Sequence, residues 1–144
     1  MSTPAPPTYG PPITLSQAKA VMTAAETEAI TQGWPMVIAI VDSGGNLVML
    51  QRLDNAQLGS IVVAQSKAET ALRFKRPTKV FQDAIASGGM HLRILGMANT
   101  MPLEGGIPLF AAGQIVGAIG VSGMSSGQDA QVAFAGAKAL DGPA

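Results

Sequence analysis

Apolar positions along this chain switch between two spacings, and the switches divide it into elements. From Leu15 to about Gln32 the apolar residues Leu15, Ala18, Val21, Met22, Ala25, Ala29 and Ile30 fall three and four apart, the spacing of one helical face. Thr14 precedes the stretch and Gln17 follows three residues on. That is a capping box, in which the hydroxyl accepts from the third helical N–H and the Gln side chain reaches back. Gly33 is a natural stop, and Pro35 prevents continuation. Met36 to Val41 is instead an unbroken apolar run rich in β-branched residues, the mark of a strand covered on both faces. Asp42-Ser-Gly-Gly-Asn46 reads as a turn, because Gly and Asn tolerate positive φ. Leu47 to Leu53 returns as the second strand of a hairpin, with Arg52 near its end.

Helical spacing resumes from about Leu58 to Phe74, and Arg76-Pro77 breaks it, since the residue before proline disfavours helix. Thr78 is placed to cap a short helix through Ala86. Ser87-Gly-Gly89 is a flexible break, and Met90 to Thr100 fits either a helical turn or a loop. Leu103-Glu-Gly-Gly106 leads into a second hairpin, with strands at Ile107–Phe110 and Gln114–Val121 around the turn Ala111-Ala-Gly113. Ser126 with Asp129 three residues on predicts a second capping box, opening a helix to about Leu140. The order helix, hairpin, helix, short helix, hairpin, helix predicts an α+β fold with a mostly antiparallel sheet. Its two apolar strands call for helices, or another subunit, on both faces. Residues 1–12 carry five prolines and read as a flexible arm, leaving 13–144 as a single domain.

Composition bears more on function than on fold. Charged residues are only 12% of the chain and apolar ones 47%, against an ordinary charged share of about 25%. Part of so weakly charged a surface is expected to be covered by further copies, so a homo-oligomer is predicted. A net charge of +0 lacks the basic footprint of a nucleic-acid partner. The absence of cysteine excludes disulfides, thiolate metal sites and a cysteine nucleophile. No apolar run reaches the roughly 20 residues of a membrane span, and Met1-Ser-Thr-Pro-Ala-Pro-Pro7 has neither region of a signal peptide. A cytoplasmic location is expected.

Six motifs in order carry a family resemblance. Val37-Ile-Ala-Ile-Val-Asp-Ser-Gly-Gly-Asn-Leu-Val48 resembles the hairpin "VAVVDxxGxLV" of the GlcG/HbpS-like family, and Arg52-Leu-Asp54 its "R-x-D" strand exit. Ala64-Gln-Ser-Lys-Ala-Glu-Thr-Ala71 is similar to its "AxxKAxTA" helix, and Arg76-Pro77-Thr78 to its "RPT" break. Gly105-Gly-Ile-Pro108 and Val116-Gly-Ala-Ile-Gly-Val-Ser-Gly123 are similar to "GGxPI" and "VGAIGVSG". Asp129 falls where the family places an acidic residue before its last helix. The resemblance implies a profilin-like α/β/α sandwich, usually oligomeric, with members tied to binding or breakdown of haem, to iron, or to diol, cobalamin and glycolate metabolism.

The residues themselves leave two kinds of function open. His91 is the sole histidine. It is either a haem axial ligand or general acid/base, since imidazole suits both, or a loop histidine with one hydrogen bond. Met90, Leu92, Ile94, Leu95 and Met97 around it would line an apolar pocket or serve as core. Lys67 has Val63, Ala64, Thr70, Ala71 and Phe74 as helical neighbours; it is either a partly buried base or anion anchor, or a snorkelling cation paired with a carboxylate. Arg52 either grips a ligand carboxylate bidentately or pairs with Asp54. Glu104 stands beside Gly105 and Gly106, whose backbone can approach a ligand closely. It is either a general base at a small anion site or a solvated acid. Arg73, Lys75, Arg76 and Lys79 would meet an anionic ligand or form a solvated helix end. A histidine-rich zinc site is excluded by the single histidine. Gly117–Gly123 lies mainly within a strand and makes no phosphate cradle.

Two functions follow: an oligomeric small-molecule-binding protein holding haem, another tetrapyrrole or iron, or a cofactor-independent lyase, isomerase or hydratase. The latter would act on a small polar or carboxylated metabolite through Lys67, Glu104 and His91. In either case Lys67, Arg52 and Glu104 are expected to converge near the His91 loop, with Gly105 and Gly106 contributing backbone.

Overall fold

The computed structural model describes residues 5–140. Residues 1–4 of the expected arm and 141–144 of the expected domain lie outside them. In chain order the elements are α1 (Leu15–Gln32), β1 (Val37–Asp42), β2 (Leu47–Arg52), α2 (Ser60–Phe74), α3 (Lys79–Ser87), a 3-10 segment (Gly89–Gly96), β3 (Gly106–Ala111), β4 (Gln114–Ser122) and α4 (Ser126–Ala137). The two hairpins lie side by side in one antiparallel sheet of order β2-β1-β4-β3, with Val37 opposite Ser122 and Asp42 opposite Gly117.

Side chains alternate across a strand, and that alternation sorts the apolar run of β1 onto two faces. Ile38 and Ile40 point to the layer of α1 and α4, where they meet Val21, Met22, Ala25, Ile119 and Val132. Val37, Ala39 and Val41 point to α2, against Ala64, Ala68 and Ala71. Each fully buried Val, Ile or Met side chain here contributes about 1.5–3 kcal/mol. The result is the predicted profilin-like α/β/α sandwich. Small residues set the spacing of the α2 layer: a Cβ on Gly120 would collide with the carbonyl oxygen of Ala64. The Ala face of α2 therefore rests directly on the backbone of β4.

Thr14 and Gln17 form the predicted capping box of α1, and Gly33 ends that helix at φ 76°. Three local expectations are corrected. The box of α4 is built one residue earlier than expected, from Ser125 and Gln128, which releases Asp129 to turn inward. Thr78 occupies the N-cap position of α3, but its side chain makes no cap bond; its backbone N–H donates to Gly106 O at 3.0 Å and its hydroxyl accepts from Gly106 N at 2.9 Å. It thus ties the start of α3 to β3. The stretch expected as a free arm is docked over Thr8–Gly10. Strand β1 ends at Asp42, opposite Gly117, so Ile115 would otherwise show unpaired backbone on that side. Ile115 N donates to Thr8 O at 2.9 Å and Gly10 N to Ile115 O at 2.8 Å, while the Tyr9 hydroxyl donates to Leu72 O at 2.6 Å.

Candidate functional site

The most enclosed charge in the described residues is Lys67, in the middle of α2 and 2% exposed. Its Nζ donates to Asp129 Oδ2 at 2.9 Å and to the carbonyl of Val121 at 2.9 Å, so one ammonium joins α2, β4 and α4. The second oxygen of Asp129 accepts from Met124 N at 2.9 Å. Burial pushes the Asp129 carboxyl above its ordinary range, against the pull of the Lys67 ammonium and of the Met124 and Gly123 backbone N–H groups. Gly105 closes over this pair. At φ +130° a Cβ there would sit 2.7 Å from Val121 O and 2.9 Å from Lys67 Nζ, so only glycine fits both the backbone and the space.

Immediately outside Gly105 lies a cavity of about 320 Å³, bordered by Glu104, Gly105, Gly106, Lys79, Ile107 and Phe134 among others. Its charged groups are Glu104 and Lys79. Asp83, 2.6 Å away, and the more distant Glu104 hold the Lys79 ammonium above its ordinary range. Chemically, this is an apolar recess with one carboxylate and one ammonium at its rim, above the Lys67–Asp129 ion pair.

The entrance to β3 is therefore brought to Lys67, as the sequence suggested, but Arg52 is not. Arg52 and Gly106 lie at the same end of the sheet on opposite edge strands, with β1 and β4 between them. That is about 14 Å at ordinary strand spacing. Arg52 is exposed, and among the described residues the ion pairs are Lys67–Asp129 and Lys79–Asp83; the Arg52–Asp54 alternative is not formed. His91 lies on the exposed 3-10 segment and does not line the cavity over Lys67. The apolar residues expected to wall a pocket around it face solvent: Met90 is 71% exposed, Leu92 47% and Leu95 66%. Ties at the segment's exit run to α2, through Met101 N to Thr70 Oγ1 at 2.9 Å and Arg73 Nη1 to Asn99 O at 3.5 Å. Among the described residues no group of three or more His, Asp or Glu is placed to hold a metal ion, which leaves His91 as a single-ligand candidate.

Asp129 is the site residue that the sequence reading assigned to another task. The available signal was Ser125-x-x-Gln128, an equally good capping box one residue earlier, which leaves the acid free for Lys67.

Comparison with known proteins places this geometry. A family model described as "Haem degrading protein HbpS-like" matches residues 13–138. Protein GlcG of Escherichia coli (strain K12) is 38% identical over 112 residues, covering 76% of this chain and 82% of GlcG. The Klebsiella pneumoniae protein ORFY has a crystal structure that superposes with a TM-score of 0.85 at 28% identity, covering 96% of this chain and 97% of ORFY. A crystal structure of a PduOC:Heme complex superposes with a TM-score of 0.82 at 27% identity, covering 90% of this chain and 96% of that one.

Proposed function

We propose, from the premise that this chain belongs to the HbpS-like family, that it is an oligomeric small-molecule-binding protein that takes haem or a related tetrapyrrole. A haem complex on the same fold supports the ligand class. The observation that carries the reading is the setting of His91. Large apolar side chains seldom face solvent together without a binding role, and here Met90, Leu92 and Leu95 do so around the sole histidine. In the bound state the imidazole of His91 would ligate iron, the neighbouring apolar side chains would cover porphyrin, and Arg93, exposed in the last turn of the same segment, would meet a propionate. Bound haem would supply a redox-active iron; the chain's own contribution is to hold and shield it. The oligomer would cover apolar surface that a monomer leaves in water.

The test is titration of hemin into the protein while the Soret band is followed. A saturable band shift in the native protein, abolished in His91→Ala, is expected. Absence of a saturable shift, or the same shift in the variant, would overturn the reading. A cofactor-independent enzyme finds narrower support, in Glu104 at the cavity outside Gly105, because the ammonium groups of Lys67 and Lys79 are already engaged, the first by Asp129 and Val121 and the second by Asp83.

A further inference from the structure

A second and larger cavity, of about 580 Å³, lies between the end of α1 and the end of β2, within the size range of small-molecule sites. Glu26, Ile30 and Trp34 line it from the α1 side, and Gln51 of β2 and Leu53 just beyond that strand from the other. Gln51 pairs with Ile38, whose side chain belongs to the α1 layer, so Gln51 faces the cavity side of the sheet. Its Oε1 is buried and accepts no hydrogen bond. A buried acceptor left unpaired costs about 1–3 kcal/mol, and native structures rarely leave one without a partner. Glu26, half-buried on α1, is engaged in no hydrogen bond or ion pair within the described residues. Asp54 adds a second carboxylate at the border. Arg52 also borders the cavity, but its pairing with Val37 starts its side chain on the α2 face of the sheet.

We propose that this cavity is a binding site for a small organic cation, an amine with a compact apolar body. The ammonium donates to Gln51 Oε1 and is balanced by Glu26, and the body packs on Trp34 and Leu53. An indole face attracts a cation as well as an apolar group, so the aromatic wall suits both halves of such a ligand. The proposal does not rest on haem binding, because neither His91 nor any other residue of the 3-10 segment lines this cavity.

Trp34 is the sole tryptophan, so intrinsic fluorescence reports on this cavity directly. The probe is benzylamine, with benzyl alcohol and benzoate as neutral and anionic controls of the same shape. Benzylamine is expected to change Trp34 emission saturably and to bind more tightly than either control. Binding should weaken by about tenfold or more in both Gln51→Leu and Glu26→Gln, the scale of a lost hydrogen bond to a charged group. It should be unchanged in His91→Ala. Circular dichroism and melting temperature confirm that the variants fold; Gln51→Leu removes an unpaired acceptor and is expected to be at least as stable as the native chain. No saturable change with benzylamine, equal binding of a control, or undiminished binding in both variants would overturn the proposal. The first of these outcomes would mean that water alone serves Gln51.

Discussion

Replacing Lys67 by methionine keeps most of the side-chain volume and removes the ammonium. Asp129, 3% exposed, would then hold a carboxylate among apolar groups with only backbone donors, including Met124 N–H. Removing one member of a buried pair costs about 3–5 kcal/mol, because the uncompensated charge remains. For a domain of this size each kcal/mol moves the midpoint by roughly 2–4 °C, so Lys67→Met should lower Tm by about 10–15 °C. Asp129→Leu, which strands the ammonium instead, should cost a similar amount. The double variant Lys67→Met/Asp129→Leu removes both charges and leaves only neutral backbone groups short of these partners, the N–H groups of Met124 and Gly123 and the carbonyl of Val121, each at a cost of about 1–3 kcal/mol. Because neither charge is stranded in it, its cost should fall well short of the sum of the two single variants. Urea unfolding of all four proteins, followed by circular dichroism with m checked for constancy, measures this cycle. A Lys67→Met cost below about 1 kcal/mol, or a double-variant cost equal to the sum of the singles, would refute the account of Lys67 as a buried cross-tie.

Other expectations follow from the same geometry. Gly105→Ala forces both a positive φ and a Cβ into Val121 O and Lys67 Nζ; a loss of about 1–3 kcal/mol is expected at such a strained position and is read by thermal melting. Deleting residues 1–12 removes two backbone bonds at Ile115 and the Tyr9 hydroxyl bond, each worth roughly 1 kcal/mol, and should lower Tm by several degrees; an unchanged Tm would show that the docked stretch adds no stability. Light scattering at micromolar concentration should give a multiple of the 14.6 kDa chain, and a clean monomer would reject the oligomer.

Local chemistry was legible in the sequence because its signals act within a turn or two of chain. Thr14 and Gln17 bracket the first turn of α1, Gly33 supplies the left-handed stop, and the apolar run through Val41 requires cover on both faces wherever its strand lies. Those marks determined the elements and, with hairpins interleaved between helices, the α+β class. Strand order was not written locally. The placement of β1 against β4 separates Arg52 from Glu104 and leaves Ile115 open for Thr8–Gly10. Both results depend on how whole layers bury their apolar faces together. The same holds for Asp129. Beside Ser126 it reads as a cap, and the register that made Ser125 the cap is settled together with an ion pair reaching 62 residues back to Lys67. A buried ammonium must find an acceptor somewhere, but only the tertiary packing of α2, β4 and α4 decides which carboxylate answers it.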